Sequence, residues 1–164
     1  MKPNTHTISV LVANKPGVLV RIALVFARRG YNIDSLVVSP TINPKFSRMT
    51  ITAKGDWETL DQIIKNVNKL VDVIHCGEHD LTHAVEKELA LLKVKSSPAV
   101  KAFVTKHSRK YRLKIDDASE GHAIIEQTGA TAELDEFEAL MKKYSVVEMV
   151  RTGKVLMAKG REKT

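Results

Sequence analysis

Twice along the chain the apolar spacing changes from period two to about period 3.6 and back, in the same order each time. In the first half Thr7 to Ala13 is β-rich. Gly17 to Arg29 then places Val18, Ile22, Val25, Phe26 and Arg29 at helical spacing, and Ile33 to Ser39 reads as a strand. Pro40 to Lys45, with two prolines and Asn43, forms a loop before Arg48 to Ala53 resumes strand alternation through Met49, Ile51 and Ala53. Asp56 offers an N-cap to a second helix in which Leu60, Ile63, Ile64, Val67 and Leu70 share a face, and Val71 to Cys76 closes the unit as a strand.

The second half repeats the order without repeating the residues. Val85 to Val94 reads as a strand, and Ser96-Ser97-Pro98 starts a helix through Ala99, Val100, Phe103 and Val104. Tyr111 to Ile115 and His122 to Thr128 form a hairpin around Asp116 to Gly121. Thr131 is expected to cap a helix over Ala132 to Tyr144, with Leu134, Phe137, Leu140 and Met141 on one face, and Val146 to Val150 is the last strand. The expected fold is therefore α+β, two tandem ferredoxin-like βαββαβ domains over residues 1–78 and 85–164, joined by a linker over 79–84. The Lys/Gly-rich tail Arg151 to Thr164 is expected to be partly mobile.

Bulk properties exclude several classes. An apolar fraction of 43% in 164 residues suffices for two small cores. No apolar run approaches the roughly 20 residues of a membrane span, and no secretory segment follows Met1 to Asn4, so a cytoplasmic protein without membrane association is expected. Cys76 stands alone, which rules out an internal disulfide and suggests a small buried hydrophobe. The net charge of +7 is spread: residues 1–78 carry ten Lys/Arg against six Asp/Glu, and residues 79–164 sixteen against thirteen. An RNA-binding ferredoxin-like module is the rival reading, but it needs exposed aromatic rings on two central strands, and these strands carry Val, Ile, Leu, Met and Thr. No nucleic acid is expected as a partner. No nucleophile elbow, phosphate loop or dinucleotide fingerprint is present, so no catalytic residue and no cofactor of its own are expected. His75, His79 and His83, four apart, read as a solvated linker, and Asp116, Asp117 and Glu120 as a hairpin tip, so no metal site is expected.

The segment Asn14-Lys15-Pro16-Gly17-Val18-Leu19 carries the chemistry. Asn-x-Pro-Gly between a strand and a helix makes a turn of small residues, leaving the first helical N–H groups bare, and such a helix start suits a carboxylate. Gly30-Tyr31-Asn32-Ile33 turns the chain from that helix into the next strand. Two Asn-bearing turns on one small sheet suggest a site for a zwitterion such as an amino acid, with Asn14, Gly17, Val18, Leu19, Asn32 and Ile33 as its candidates. The competing readings are plain: Asn14 and Gly17 as turn formers, Asn32 as a residue tolerating a left-handed turn, Leu19 and Ile33 as core.

The runs Ile8 to Leu19, Phe26 to Leu36, Ser47 to Ile51 and Asn68 to Ile74 resemble, in order and spacing, an ACT domain, and more narrowly that of the regulatory small subunit of acetolactate synthase (acetohydroxyacid synthase). Glu86 to Val94 and Val150 to Gly153 look like that family's C-terminal domain. Lys15 departs from the pattern, since many relatives carry an acidic residue there, and Pro98 to His107 looks shorter than its counterpart. The resemblance implies a chain without catalysis of its own. Its partner would be a catalytic large subunit that holds thiamine diphosphate, Mg2+ and FAD and condenses pyruvate into acetolactate or acetohydroxybutyrate. The small subunit would raise that activity and transmit feedback inhibition by valine in branched-chain amino acid biosynthesis. ACT domains would pair edge to edge in a homodimer with effector sites at the seam, Asn32 coming from the neighbouring protomer. A free-standing ACT amino-acid sensor acting on another enzyme is the alternative.

Overall fold

The computed structural model describes residues 4–162 and 164; Met1, Lys2 and Pro3, where the stretch read for a secretory signal begins, and Lys163 in the tail lie outside the described residues. The chain divides into two compact units, Met1–Val85 with Lys154–Thr164, and Glu86–Gly153. The sequence boundary put the whole tail with the second domain. By packing, Lys154–Thr164 belongs with the first.

The first unit runs β1 (Asn4–Ala13), α1 (Val18–Arg28), β2 (Ile33–Pro40), β3 (Phe46–Gly55), α2 (Trp57–Val67) and β4 (Val73–Glu78). Its sheet is antiparallel in the order β2-β3-β1-β4, so the two strands that precede helices, β1 and β3, lie at the centre. Period-two alternation decides the faces. Ile8, Val10 and Val12 of β1 and Met49, Ile51 and Ala53 of β3 point to one side, where Val18, Ile22 and Phe26 of α1 and Leu60, Ile63 and Val67 of α2 close the core. Cys76 lies in that core, and burial pushes its thiol up to about 12, leaving it an inert hydrophobe at neutral pH. Asp56 caps α2 as expected: its carboxylate accepts from the Thr59 N–H at 2.7 Å, a bond that holds the carboxyl below its usual range.

The second unit contains β5 (Ala84–Lys95), α3 (Pro98–Tyr111), β6 (Leu113–Asp117), β7 (His122–Gly129), α4 (Thr131–Met141) and β8 (Val146–Arg151). Its sheet repeats the order as β6-β7-β5-β8, antiparallel; the tail forms a further short strand, β9 (Val155–Ala158). Its core is separate: Leu92 and Val94, Ile125, Phe103, Leu134, Phe137 and Met141. Ser97 caps α3 by accepting from Val100, and Pro98 takes the first helical position, where a missing N–H costs nothing.

Three expectations need correcting. Thr131 is the first residue of α4 rather than its cap; the cap is Ala130, whose N–H donates to the Glu133 carboxylate at 2.9 Å, while the Thr131 hydroxyl donates to Glu88. Among its described residues the tail is tied down, with Lys159 N–H donating to the His83 carbonyl at 2.9 Å behind β9. The stretch read as a solvated linker is also tied down. His79 N–H donates to the Thr7 carbonyl at 3.1 Å, its ring Nε2 lies 2.5 Å from the Ser9 hydroxyl, and Leu81–His83 forms a 3-10 turn capped by Asp80.

His79 has a consequence for pH. Burial lowers its pKa, as do the nearby His75 and Arg48, against weaker opposing pulls from Glu162 and Glu78. A histidine with a lowered folded pKa binds fewer protons than the unfolded chain. Its contribution is therefore present above about pH 6.5 and is lost as pH falls from there through the lowered value. The thermal midpoint of the native chain is expected to fall between about pH 7.5 and 5.5 by more than that of His79→Gln, and equal falls would contradict the assignment.

Candidate effector site at the start of the first helix

Where β1 ends, the chain turns through Asn14 to Gly17 under tight backbone control. The Asn14 N–H donates to the Lys45 carbonyl at 2.8 Å, its side-chain amide donates to the Pro44 carbonyl at 3.0 Å, and Ala13 N–H donates to the Asp72 carbonyl at 2.8 Å. Gly17 then takes φ 83° and ψ −11°, the left-handed region that an L side chain enters only at a cost. No atom lies within 4 Å of where its Cβ would stand, so conformation rather than space demands glycine here. Gly17 is the N-cap of α1, and it brings no side-chain acceptor; nor does the first turn hold an acidic residue. The helix start therefore keeps its positive end uncapped by any side chain.

Beside this turn lies a hollow of about 150 Å³, room for roughly five water volumes. Asn14, Lys15, Val18 and Leu19 line it from the turn and α1. Val12, Val38 and Met49 supply apolar wall from three adjacent strands, with Ser47 beside them. The register explains why they meet: Val12 pairs with Ser47, and Met49 pairs with Val10 on one side and Val38 on the other. Lys15, which lines the hollow, has its Nζ 3.5 Å from Asp72, and the Arg21 guanidinium bonds the same carboxylate. Two cations share one anion, so the local field favours a further negative group. The arrangement offers an uncapped helix start and cationic rim for a carboxylate, a side-chain carbonyl of Asn14 as acceptor, and an apolar wall for a small aliphatic group.

Of the six candidates read from the sequence, Asn14, Val18 and Leu19 line the hollow and Gly17 sets its turn. Asn32 and Ile33 lie elsewhere, at the start of β2. Asn32 is exposed and donates to Asp34 at 3.3 Å, and Ile33 packs against the core. Sequence reasoning missed Val38, Ser47 and Met49, whose presence depends on strand register rather than on local spacing. Among the described residues, no group of three His, Cys, Asp or Glu side chains is placed to hold a metal ion. Asp116 and Asp117 are engaged locally by Lys114 and Ser119. The outward residues of the central strands, Thr7, Ser9, Thr50 and Thr52, are buried and carry no ring for stacking a base.

A family model described as the AHAS (acetohydroxyacid synthase) small subunit-like ACT domain matches residues 8–75, and one described as the small subunit of acetolactate synthase matches residues 87–160. The chain belongs to the acetolactate synthase small subunit family. A protein of Archaeoglobus fulgidus, named a probable acetolactate synthase small subunit, is 43% identical over 96% of this chain and 99% of its own length. The acetolactate synthase small subunit of Mycobacterium bovis is 39% identical over 98% of this chain and 95% of its own. The crystal structure of the small subunit from Thermotoga maritima superposes with a TM-score of 0.86 at 40% identity, covering 97% of this chain and 99% of that one. The tandem ferredoxin-like architecture, with an ACT domain first, is thus the architecture of the acetolactate synthase small subunit family. No helix among the described residues is long and apolar enough to cross a membrane.

Proposed function

We propose that this chain is the non-catalytic regulatory subunit of a cytoplasmic acetolactate synthase, which binds and activates the catalytic large subunit and makes it sensitive to valine. The observation that carries the effector assignment is the uncapped start of α1 opening onto an apolar-walled hollow. Valine's carboxylate is held by backbone N–H groups of Gly17, Val18 or Leu19. Its ammonium is held by the Asn14 carbonyl oxygen, which is left over once the Asn14 amide has donated to Pro44. The isopropyl group lies on Val12, Val38 and Met49. Asn32, exposed at the start of β2, completes the site from a second copy of the chain paired through the ACT sheet edge, whereas Ile33 packs into its own core and takes no part. The chemistry of pyruvate condensation belongs to the large subunit, with its thiamine diphosphate, Mg2+ and FAD.

Charge-assisted hydrogen bonds contribute about 1.5–3 kcal/mol each and a buried isopropyl group about 1.5–3 more. After ordering costs, affinity in the micromolar to millimolar range is expected, about −8 to −4 kcal/mol, as suits a metabolite sensor. Feedback requires that valine favour one of two arrangements of the assembly. The test is turnover of the catalytic subunit with and without this chain across a valine series. Turnover rises on adding the chain, and the increment falls as valine saturates. Asn14→Ala is expected to weaken valine binding about tenfold while leaving activation intact. Turnover indifferent to the chain overturns the regulatory reading, and an unchanged valine titration in Asn14→Ala overturns the site.

A further inference from the structure

On the opposite side of the ACT sheet from its helices lies a second hollow, of about 410 Å³, within the range of small-molecule sites. Arg48 and Thr50 of β3 line it together with Val37 and Ser39 of β2, the loop residue Ile42 and the tail residues Val155 and Met157. All belong to the first unit. Ile42, Val155 and Met157 are large apolar side chains left exposed around its rim.

Arg48 is the charged group of this hollow, and its surroundings are unusual for an arginine. The side chain is half-buried, and burial holds its pKa below the usual guanidinium value. No Asp or Glu carboxylate pairs with it among the described residues; its hydrogen bond goes to the main-chain oxygen of Thr164. His79 and His75 stand nearby, and Glu162 and Glu78 act on His79 without forming an ion pair to Arg48 among the described residues. A partly desolvated guanidinium presents a planar fork of five donors, and a contact from one nitrogen to one oxygen leaves most of that fork unused. Thr164 is also held by its hydroxyl, which accepts from the Ala158 N–H at 2.7 Å.

We propose that this hollow is a second ligand site, distinct from the one at the start of α1, which takes a small monocarboxylate with an aliphatic body: the carboxylate forks onto Arg48 and the aliphatic part packs against Val37, Ile42, Val155 and Met157. The hydroxyls of Ser39 and Thr50 stand in the same hollow to meet further polar groups of the ligand. The bound carboxylate takes over the donors that Arg48 now offers to Thr164, so occupancy is coupled to release of the tail's end. The inference does not rest on the valine reading, since the two hollows share no lining residue.

The probe is 3-methylbutanoate, with its neutral amide and inorganic phosphate as comparators, titrated into the full-length chain while backbone amide resonances are followed by NMR. The acid is expected to shift amides of residues 37–43, 48–50 and 155–157 saturably, with the amide of the acid binding about tenfold or more weakly. Arg48→Gln is expected to lose the same factor, and Arg48→Lys to recover only part of it because an ammonium cannot fork. Shifts confined to residues 14–19, equal shifts from acid and amide, or unchanged affinity in Arg48→Gln each overturn the proposal. Equal binding of phosphate identifies a general anion site and overturns the aliphatic part. If Arg48→Gln does not fold, the comparison of acid with amide on the native chain decides.

Discussion

Replacing Phe26 by alanine is expected to remove about 3–5 kcal/mol of stability from the first unit and little from the second. Phe26 is 1% exposed and sits at the third of the three α1 positions, Val18, Ile22 and Phe26, that close over the sheet. The cost has two parts: the lost transfer of an aromatic ring out of water, and a cavity between α1 and the sheet that a rigid antiparallel ladder cannot collapse to fill. Set against a typical domain stability of about 5–15 kcal/mol, the loss is a large fraction of the whole. Because the two cores share no residue, hydrogen exchange should speed up at buried amides of β1 and β3 while those of β5 and β7 keep their protection. The backbone turn after α1 is exposed to the same loss, since the Phe26 carbonyl accepts from both Arg29 and Tyr31. The hollow at the start of α1 shares that helix, so the response to valine proposed above should fail with it. Equal acceleration in both units would show that they do not unfold separately.

The fold was legible wherever the determinant is local. Met49, Ile51 and Ala53 alternate along β3 because only one face of that strand meets the helices, and all three are buried as the alternation requires. Asp56 and Thr59 spell out a cap because the carboxylate reaches an N–H three residues away. The misreadings come from partners distant in sequence. Thr131 looked like a cap, yet its hydroxyl goes to Glu88, which no local rule connects to it, and the capping role passes to Glu133 reaching back to Ala130. The tail's composition suggested mobility, but Val155–Ala158 forms a strand and Lys159 finds a carbonyl at His83. The candidate site divides along the same line. The turn from Asn14 to Leu19 is a local object and could be read directly, whereas Val38, Ser47 and Met49 enter through register. Asn32 and Ile33 belong to a turn at the other end of α1, away from the hollow, and Ile33 is packed into the core, so proximity in sequence to α1 misplaced both.

The second unit carries its largest single liability at Arg151. Arg151→Met is expected to cost about 3 kcal/mol or more, and the cost should be asymmetric: Glu88→Gln should cost markedly less. Glu88 is the buried member, with a side chain 5% exposed, and it accepts from Arg151 Nη2 at 2.8 Å and from the Thr131 hydroxyl. Arg151 is 23% exposed and holds two further carboxylates, Asp135 at 2.6 Å and Glu138 at 3.6 Å. Taking away Arg151 leaves a carboxylate out of reach of water with one hydroxyl for company, and also places Asp135 and Glu138 side by side without their shared cation. Taking away the Glu88 charge leaves a guanidinium that still has two partners and some solvent. The double variant Arg151→Met with Glu88→Leu removes the buried charge together with its partner and should recover most of the loss, because an apolar pair of similar volume carries no desolvation cost. Chemical denaturation of the native chain, Arg151→Met, Glu88→Leu and their double variant forms a double-mutant cycle, and a coupling between the two sites near zero would show that the ion pair contributes nothing specific. The same network joins β5, α4 and β8 through Glu88, Thr131 and Arg151. A loss in Arg151→Met should therefore appear first as faster exchange at β8, the sheet's edge strand, which has only β5 to hold it.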